Sequence, residues 1–395
     1  MKNPFRPGAG HQPPYLAGRQ DEQLEFKKFV GHLPVLTNLI VTGLRGVGKT
    51  VLLETLRPIA IDDGWFWVGT DMSESASVSE QSMSIRILAD LSGLVSSFVI
   101  AAEEKKSIGY LPQTRKIPIH LSYELLMDIY KETPGLESDK LKRALEVVWH
   151  SVQSKARGIV LAYDESQNLK DQAYDKQYPL SLLLDVIQNL QRREYPYLLI
   201  LTGLPTLFPN LVATRTYSER MFHTMSLDKL SEKESREAII KPLAKVKGIF
   251  SKEMISDIIK YSGGYPYFIQ FLCKEAFDLY NQQIAIGIRK PVVIIPEIIR
   301  KLDNDFYFGR WNKASDRQRD LLMVIAQLPK AEIEFSVQEI ERESKKILKK
   351  PFSPSLINQM LLKLIDAGLV YKNRHGKYSF AVPMMSQFIN REILR

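Results

Sequence analysis

Apolar residues form short runs along the first 230 residues of the chain, and segments long enough for helices separate them. The runs lie at residues 36–42, 65–69, 159–163, 197–202 and about 221–227. Each run is too brief for a buried helix and therefore predicts a strand. Strands that alternate with helices predict an α/β fold with a parallel sheet and helices on both of its faces.

The segment between the second and third runs, residues 73–156, predicts two helical pieces, with residues 111–124 as a break between them. It is longer than a minimal core of this kind requires. A surface for a partner protein is one interpretation of the extra length.

The C-terminal residues have a different pattern. Apolar residues at helical spacing predict helices over 315–328, 335–344 and 353–370. The following stretch, LVYKNRHGKYSFAVP, alternates as two strands around His375 and Gly376. Three helices followed by a hairpin is the order of a winged helix.

The formal net charge of +9 is concentrated at this end of the chain. Residues 310–395 contain 16 Lys and Arg against 9 Asp and Glu, a net charge of +7. A basic end on a nearly neutral body favours a polyanionic partner for that end alone. Charge that only maintains solubility is the plainer interpretation.

Composition narrows the class of protein. The single cysteine, Cys273, excludes an internal disulfide framework, and the scattered histidines do not predict a structural zinc site. The apolar stretch at 91–102 is too short to span a bilayer, and the N-terminus lacks the apolar segment of a secretory signal. We expect a cytoplasmic protein of two or three domains that does not associate with a membrane.

The strongest chemical signal follows the first predicted strand, where the pattern G-x-x-x-x-G-K-T begins at Gly43. Glycines let the backbone wrap around phosphate oxygens with its N–H groups inward, and the following helix N-terminus favours an anion. We expect Lys49 to reach the β- and γ-phosphates of ATP and the Thr50 hydroxyl to bind Mg²⁺. The predicted nucleotide-binding residues here are Gly43, Leu44, Arg45, Gly46, Val47, Gly48, Lys49, Thr50 and Val51.

Polar side chains end two later strands. Asp164 and Glu165 follow the run at 159–163, and Thr202 ends the next run. An aspartate at the end of a strand can hold a Mg²⁺ ion, and a neighbouring glutamate can orient or deprotonate a water that attacks the γ-phosphate. The Thr202 hydroxyl is placed to bind a phosphate or that water. A solvated strand end and a threonine that closes a turn are the plain alternatives.

Together these motifs resemble those of the AAA+ ATPases. More narrowly, they resemble the branch with the archaeal and bacterial replication-initiator (origin-recognition) ATPases and the related signalling ATPases called STAND. GLRGVGKT is similar to the Walker A motif and IVLAYDE to the Walker B motif. The resemblance covers nearly the whole chain. It implies an N-terminal, adenine-side segment at 1–30, a P-loop ATPase core at 31–229, a helical lid at 230–309 and a winged-helix domain at 310–395.

The resemblance also implies roles for single residues. LAGRQDEQLEFKKF is similar to the family's N-terminal box, which puts Gly18 and Arg19 near the adenine base; an ordinary helix start is the alternative. Thr202 falls at sensor 1. Arg220, with Arg215 as second choice, falls where the family has an arginine finger, which usually acts on a neighbouring subunit and so implies a homo-oligomer. A surface arginine paired with an acid is the alternative for each.

The lid departs from the family pattern. Many AAA+ ATPases have an arginine, sensor 2, in the helix that begins here, whereas this chain reads GGYP at 263–266 with no arginine in the next turn. The stretch resembles the glycine–proline motif of STAND proteins, in which the proline, here Pro266, lies against the nucleotide. We therefore expect ATP binding with slow hydrolysis. A structural helix start with proline in its first turn is the alternative.

Basic and polar residues near the C-terminus are candidates for contacts with double-stranded DNA, because a winged helix offers its third helix to a groove and basic side chains to phosphates. The candidates are Lys372, Arg374 and Lys377 in the hairpin and Asn358, Gln359 and Lys363 in the third helix. Winged helices also bind proteins, which is the alternative.

The sequence thus favours an ATP-binding AAA+ ATPase that slowly hydrolyses ATP with Mg²⁺ and binds double-stranded DNA through its C-terminal winged helix. The alternative function is a STAND-like signalling or defence switch. In that case the nucleotide state controls protein assembly, and the winged helix binds protein.

Overall fold

The computed structural model describes residues 1–8, 10–96, 99–106, 114–244, 246 and 248–394. The chain forms two compact units. The sheet unit comprises residues 20–42 and 52–226, and the tail unit comprises residues 1–19, 43–51 and 227–395.

The sheet unit contains five parallel strands in the order β2-β5-β6-β1-β7. All five strands predicted from the sequence are present, and helices flank the sheet, so the predicted α/β class is confirmed. The strands are β1 (Asn38–Thr42), β2 (Trp65–Val68), β5 (Gly158–Tyr163), β6 (Tyr197–Gly203) and β7 (Phe222–Ser226).

The three central strands are buried along their whole length, which explains their continuous apolar sequences. Their register is level at the carboxyl end, because Tyr163 pairs with Leu201 and Thr42 pairs with Gly203. The residues that follow β5 and β6 therefore emerge at one edge of the sheet. Gly43 is the residue directly after Thr42 in the chain.

Amphipathic helices supply the rest of the sheet unit's core. Ser79 and Ser122 cap two of them by accepting hydrogen bonds from the N–H groups of Ser82 and Leu125. The helices are α1 (Gln20–Val30), α2 (Lys49–Asp62), α3 (Glu80–Val95), α4 (Tyr123–Glu132), α5 (Glu137–Val152), α6 (Pro179–Arg192), α7 (Leu207–Thr214) and α8 (Ser218–Met221), of which α2 begins at the end of the tail unit's loop.

The prediction of two helical pieces over residues 73–156 is wrong. In its described residues the segment contains the α-helices α3, α4 and α5 and an antiparallel hairpin of β3 (Val99–Lys106) and β4 (Thr114–His120). The predicted break at 111–124 includes residues 111–113, which lie outside the described residues, and otherwise covers β4 and the start of α4. A hairpin is stabilised by side-chain pairs between its two strands, and the residue pattern of one strand alone does not show those pairs.

Helices make up most of the described residues of the tail unit between positions 227 and 311. This part contains α9 (Glu232–Ile240), α10 (Lys252–Ser262), α11 (Pro266–Ala285), α12 (Ile295–Leu302), a π-helical turn (Asp303–Phe308) and α13 (Gly309–Trp311). Cys273 is fully buried in α11. Asp303, also fully buried, forms a two-point ion pair with Arg391 over 2.5 and 3.0 Å.

The last part of the tail unit has the predicted order of three helices and a hairpin. The elements are α14 (Asp316–Ala326), α15 (Val337–Ile347), α16 (Pro354–Asp366), β8 (Val370–Arg374), β9 (Lys377–Phe380) and α17 (Met385–Ile393). Two backbone hydrogen bonds of 2.8 Å join Phe335 to Tyr378 and add a short third strand to the hairpin. Helix α17 was not predicted.

Candidate functional site

The loop at residues 43–50 has the backbone shape that its glycines predict. Gly46 and Gly48 have φ angles of 80° and 94°, in the left-handed region that favours glycine. A Cβ atom on Gly48 would meet nothing within 4 Å, so its backbone conformation, and not crowding, favours glycine there. The concave side of such a loop is available to an anion.

Lys49, the first residue of α2, is buried at 8% exposure. Its Nζ atom donates hydrogen bonds to the backbone oxygens of Gly43 at 3.0 Å and Leu44 at 3.1 Å. These bonds hold the ammonium group against the loop backbone. A compact cation in this position matches the predicted phosphate contact.

Arg19 is buried and fastens the loop to its surroundings in the tail unit. Its guanidinium donates to the backbone oxygens of Val47 at 3.0 Å, Asp228 at 2.8 Å and Gly18 at 3.2 Å. Gly18 has a φ angle of 60°, and a Cβ atom there would lie 2.5 Å from the Glu234 carboxylate. These contacts give Gly18 and Arg19 a role in holding the loop, and their nearness to a base stays a prediction.

The glycine pair before α11 has a packing explanation. A Cβ atom on Gly264 would lie 2.5 Å from the Leu230 oxygen, and one on Gly263 would overlap the Met384 side chain. Pro266 begins α11, and the N–H group of Tyr267 donates to the Gly46 oxygen at 3.2 Å. The first turn of α11 therefore contacts the loop directly, while a contact between Pro266 and a nucleotide stays a prediction.

In the sheet unit, Asp164 and Thr202 meet at the edge formed by the ends of β5 and β6. Asp164 is 3% exposed, and its carboxylate accepts hydrogen bonds from the Thr202 hydroxyl and, at 2.8 Å, from the Glu165 N–H. The sequence predicted the two residues separately. The hydroxyl fixes the orientation of the carboxylate.

Glu165 is exposed and has a φ angle of 50°, which is strained for a residue other than glycine. The side-chain amide of Gln167 donates to its carboxylate, and the Gln167 Oε1 atom accepts from the Leu204 N–H at 3.2 Å. Gln167 thus orients Glu165, a role that was not predicted from the sequence.

Asp71 is a third acid at this edge, and it was not predicted from the sequence. It forms a parallel backbone bridge with Asp164, supported by Met72 N–H to Asp164 oxygen (2.8 Å) and Asp164 N–H to Thr70 oxygen (3.1 Å). Burial raises the pKa of Asp71, and the negative charges of Asp164 and Glu165 raise it further. An acid three residues after the apolar strand β2 was the available signal.

The two candidate arginine fingers differ in their surroundings. Arg215 is held by Asp185 at 3.1 Å, and the Tyr217 hydroxyl donates to the same carboxylate. Arg220, on α8, is exposed, and within the described ranges its side chain has no hydrogen-bond or ion-pair partner. Arg220 is therefore the better placed of the two to bind a group from outside the chain.

Three candidates on α16, Asn358, Gln359 and Lys363, are exposed, as is Lys372 in the hairpin. The other two hairpin cations are paired. Arg374 binds Glu334 through two contacts of 2.6 and 3.1 Å, which raises the pKa of Arg374, and Lys377 lies 3.2 Å from the Glu339 carboxylate.

Two other kinds of site are not found in the described part of the chain. No group of three or more His, Cys, Asp or Glu residues there is arranged to hold a metal ion. Every helix in that part is too short or too polar to cross a membrane.

The sheet order, with a glycine loop directly after β1, defines a P-loop NTPase fold. The chain is similar to the Walker-type ATPase PABY2304 of Pyrococcus abyssi (TM-score 0.58, 13% identity, 95% of this chain and 96% of that chain covered). It is also similar to the Aeropyrum pernix ORC2 protein in its ADP form (TM-score 0.59, 12% identity, 98% of each chain covered). These identities show a shared fold, and at that level the predicted likeness to the origin-recognition ATPases is confirmed.

One family model matches residues 304–389, and its description is a domain of unknown function, DUF8462. No curated protein matches the chain in sequence.

The repulsion at Asp71 leads to a prediction about stability. Because the pKa of Asp71 is higher in the folded chain than its ordinary value of 3.8, ionisation there opposes folding. Asp71→Asn should raise the free energy of unfolding at pH 7 by less than about 1 kcal/mol. The gain should shrink as the pH falls, and vanish well below pH 3.8, where Asp71 is protonated in both states.

Urea denaturation between pH 3 and 8 would measure this difference. Asp128→Asn, at an exposed position on α4, is the matched control and should leave the free energy of unfolding unchanged. A loss of stability at pH 7 for Asp71→Asn would contradict the prediction.

Proposed function

We propose that this protein binds ATP with Mg²⁺ at the loop 43–50 and hydrolyses it slowly. The main support is the position of Lys49, whose buried ammonium group is held by two carbonyl oxygens of the loop. Phosphate oxygens would replace those carbonyls as its partners, with a gain in charge complementarity. The positive φ angles of Gly46 and Gly48, which turn the loop backbone, also fit phosphate binding.

The chemistry of the donor set suits Mg²⁺, and we propose the Thr50 hydroxyl and the Asp164 carboxylate as its oxygen ligands. Bound Mg²⁺ neutralises charge on the β- and γ-phosphates. The hydrogen bond from Thr202 would keep the Asp164 carboxylate in one orientation. Arg19 would act indirectly, by fixing the loop backbone at Val47.

Glu165 is the proposed general base. It would accept a proton from a water whose oxygen bonds to the γ-phosphorus, while the bond from that phosphorus to the β–γ bridging oxygen breaks, giving ADP and phosphate. The contact from Gln167 would hold the carboxylate in position. Arg220, exposed on α8, would stabilise the phosphoryl charge in a neighbouring copy, which makes a homo-oligomer part of the proposal.

Lys49→Ala should weaken ATP binding by about 10- to 150-fold, since a hydrogen bond to a charged group contributes about 1.5–3 kcal/mol. Isothermal titration with a non-hydrolysable ATP analogue measures the change. Lys27→Ala, at an exposed position on α1, is the control. Unchanged affinity in a folded Lys49→Ala protein would exclude this loop as the phosphate site.

Glu165→Gln should retain ATP binding and lower turnover by about 10²- to 10⁴-fold, because it removes the proposed base and keeps the shape of the side chain. Phosphate release under single-turnover conditions is the measurement. Glu194→Gln is a matched control, because Glu194 is also an exposed glutamate with a left-handed φ angle of 63°. Equal turnover in the Glu165→Gln variant and the wild type would remove Glu165 from the mechanism.

We also propose that residues 310–395 form a winged helix that binds double-stranded DNA. The order of three helices and a hairpin supports this, as do the exposed polar face of α16 and the exposed Lys372. Arg374 would have to exchange Glu334 for a phosphate, and Lys377 would have to exchange Glu339. DNA binding would therefore depend first on Lys363 and Lys372.

This proposal predicts opposite effects for two substitutions. Lys372→Gln should weaken DNA binding and reduce the slope of log affinity against log salt by about 0.9, the value for one lost phosphate contact. Glu334→Gln should strengthen binding, because it releases Arg374. Fluorescence anisotropy with duplex DNA over a range of salt would measure each, with the exposed Lys290→Gln as control. No affinity for DNA at low salt would reject the proposal.

One observation favours the alternative, a nucleotide-controlled assembly switch. Arg45 of the loop donates a hydrogen bond of 3.3 Å to the backbone oxygen of Gly368, which lies two residues before β8. Within the tail unit, the loop is thus connected to the segment that carries the hairpin. Light scattering with ADP and with an ATP analogue distinguishes the functions, since assembly without DNA favours the switch and DNA-dependent assembly favours the first proposal.

A further inference from the structure

Arg310 has surroundings that are unusual for an arginine. It is half-buried in α13, its Nη1 atom donates to the Phe306 backbone oxygen at 2.6 Å, and its guanidinium lies 4.5 Å from the centre of the Phe306 ring. Within the part of the chain that the structure describes, it has no carboxylate partner. A cation that is partly removed from water without an acid is costly unless a ligand supplies the negative charge.

A second arginine is near enough for its positive charge to act on Arg310. Arg45 is the third residue of the loop 43–50, and among the described residues it too lacks a carboxylate partner. Burial lowers the pKa of Arg310, and the positive charge of Arg45 lowers it further. Two like charges are thus held near each other at the rim of a loop that the proposed function assigns to phosphate.

Their positions are fixed by a chain of contacts within the tail unit. The Tyr267 N–H donates to the Gly46 oxygen, and the Tyr267 ring lies 5.5 Å from the ring of Phe306, over which Arg310 is placed. Arg45 is fixed on its other side by Gly368. The arrangement is therefore built into packed elements.

We propose that Arg45 and Arg310 together bind the terminal phosphate of the triphosphate and make the site prefer ATP to ADP; this inference rests on the proposed function. Backbone N–H groups next to the helix cradle the α- and β-phosphates in such a loop, which leaves its outer part, with Arg45, for the terminal phosphate. Two planar guanidinium groups match the several oxygens of a phosphate better than those of one carboxylate. Arg310, inside the DUF8462 match, would then bring this segment to the nucleotide.

The test compares the affinities of ADP and of a non-hydrolysable ATP analogue for the full chain by isothermal titration. Arg310→Gln should weaken the analogue by about 10- to 100-fold and change ADP by less than about twofold. Arg310→Lys keeps the charge and should recover part of the preference. Arg300→Gln is the control, since Arg300 is an exposed arginine of α12 whose ion pair among the described residues is a 3.9 Å contact with Glu297.

Arg45→Gln gives an independent readout. Removing one of two like charges should raise the Tm of the nucleotide-free protein, while the further rise in Tm caused by the ATP analogue becomes smaller. A purely structural role for Arg45 would lower the first Tm. An unchanged ratio of analogue to ADP affinity in both Gln variants would overturn the inference, whereas a wild-type protein that binds neither nucleotide would overturn the proposed function itself.

Discussion

Parallel backbone pairing among β5, β6 and β1 is the constraint on which the acidic part of the candidate site depends. A buried strand needs a partner for every backbone N–H and C=O group, so the register of the three strands is fixed along their length. That register ends β5 beside β6 and brings the Asp164 carboxylate to the Thr202 hydroxyl. It also ends β1 one residue before the loop. A slip of one residue would turn Thr202 away from Asp164.

Features that depend on local sequence were predictable. The five strands, the glycine loop, the acidic pair after β5 and the three helices before the hairpin each have a pattern that one short segment carries. The β3–β4 hairpin was missed, since its stability comes from pairing between segments. Asp71 and Arg310 were missed for the same reason. Asp71 matters because of Asp164, which is 93 residues away in the chain, and Arg310 matters because of Arg45 in the loop.

The net charge of the C-terminal segment does not show which of its basic side chains are paired. The net charge of +7 for residues 310–395 suggests a basic surface, yet several of its cations are bound to acids of the same segment. Arg374 and Lys377 are paired with Glu334 and Glu339, and Lys345 and Lys346 with Glu341 and Glu343. Exposed ion pairs of this kind contribute little to stability, so they exchange partners at low cost. A polyanion would therefore have to compete with these acids for the lysine and arginine side chains.

Cys273 gives the chain an internal reporter. Because burial raises the pKa of its thiol well above the usual value, the folded protein presents no reactive thiolate at this position. Cys273 is also the only sulfhydryl group in the sequence. Alkylation by a soluble maleimide would therefore follow the opening of α11, the helix whose first turn contacts the loop, and a single labelling rate would describe the local unfolding of that contact.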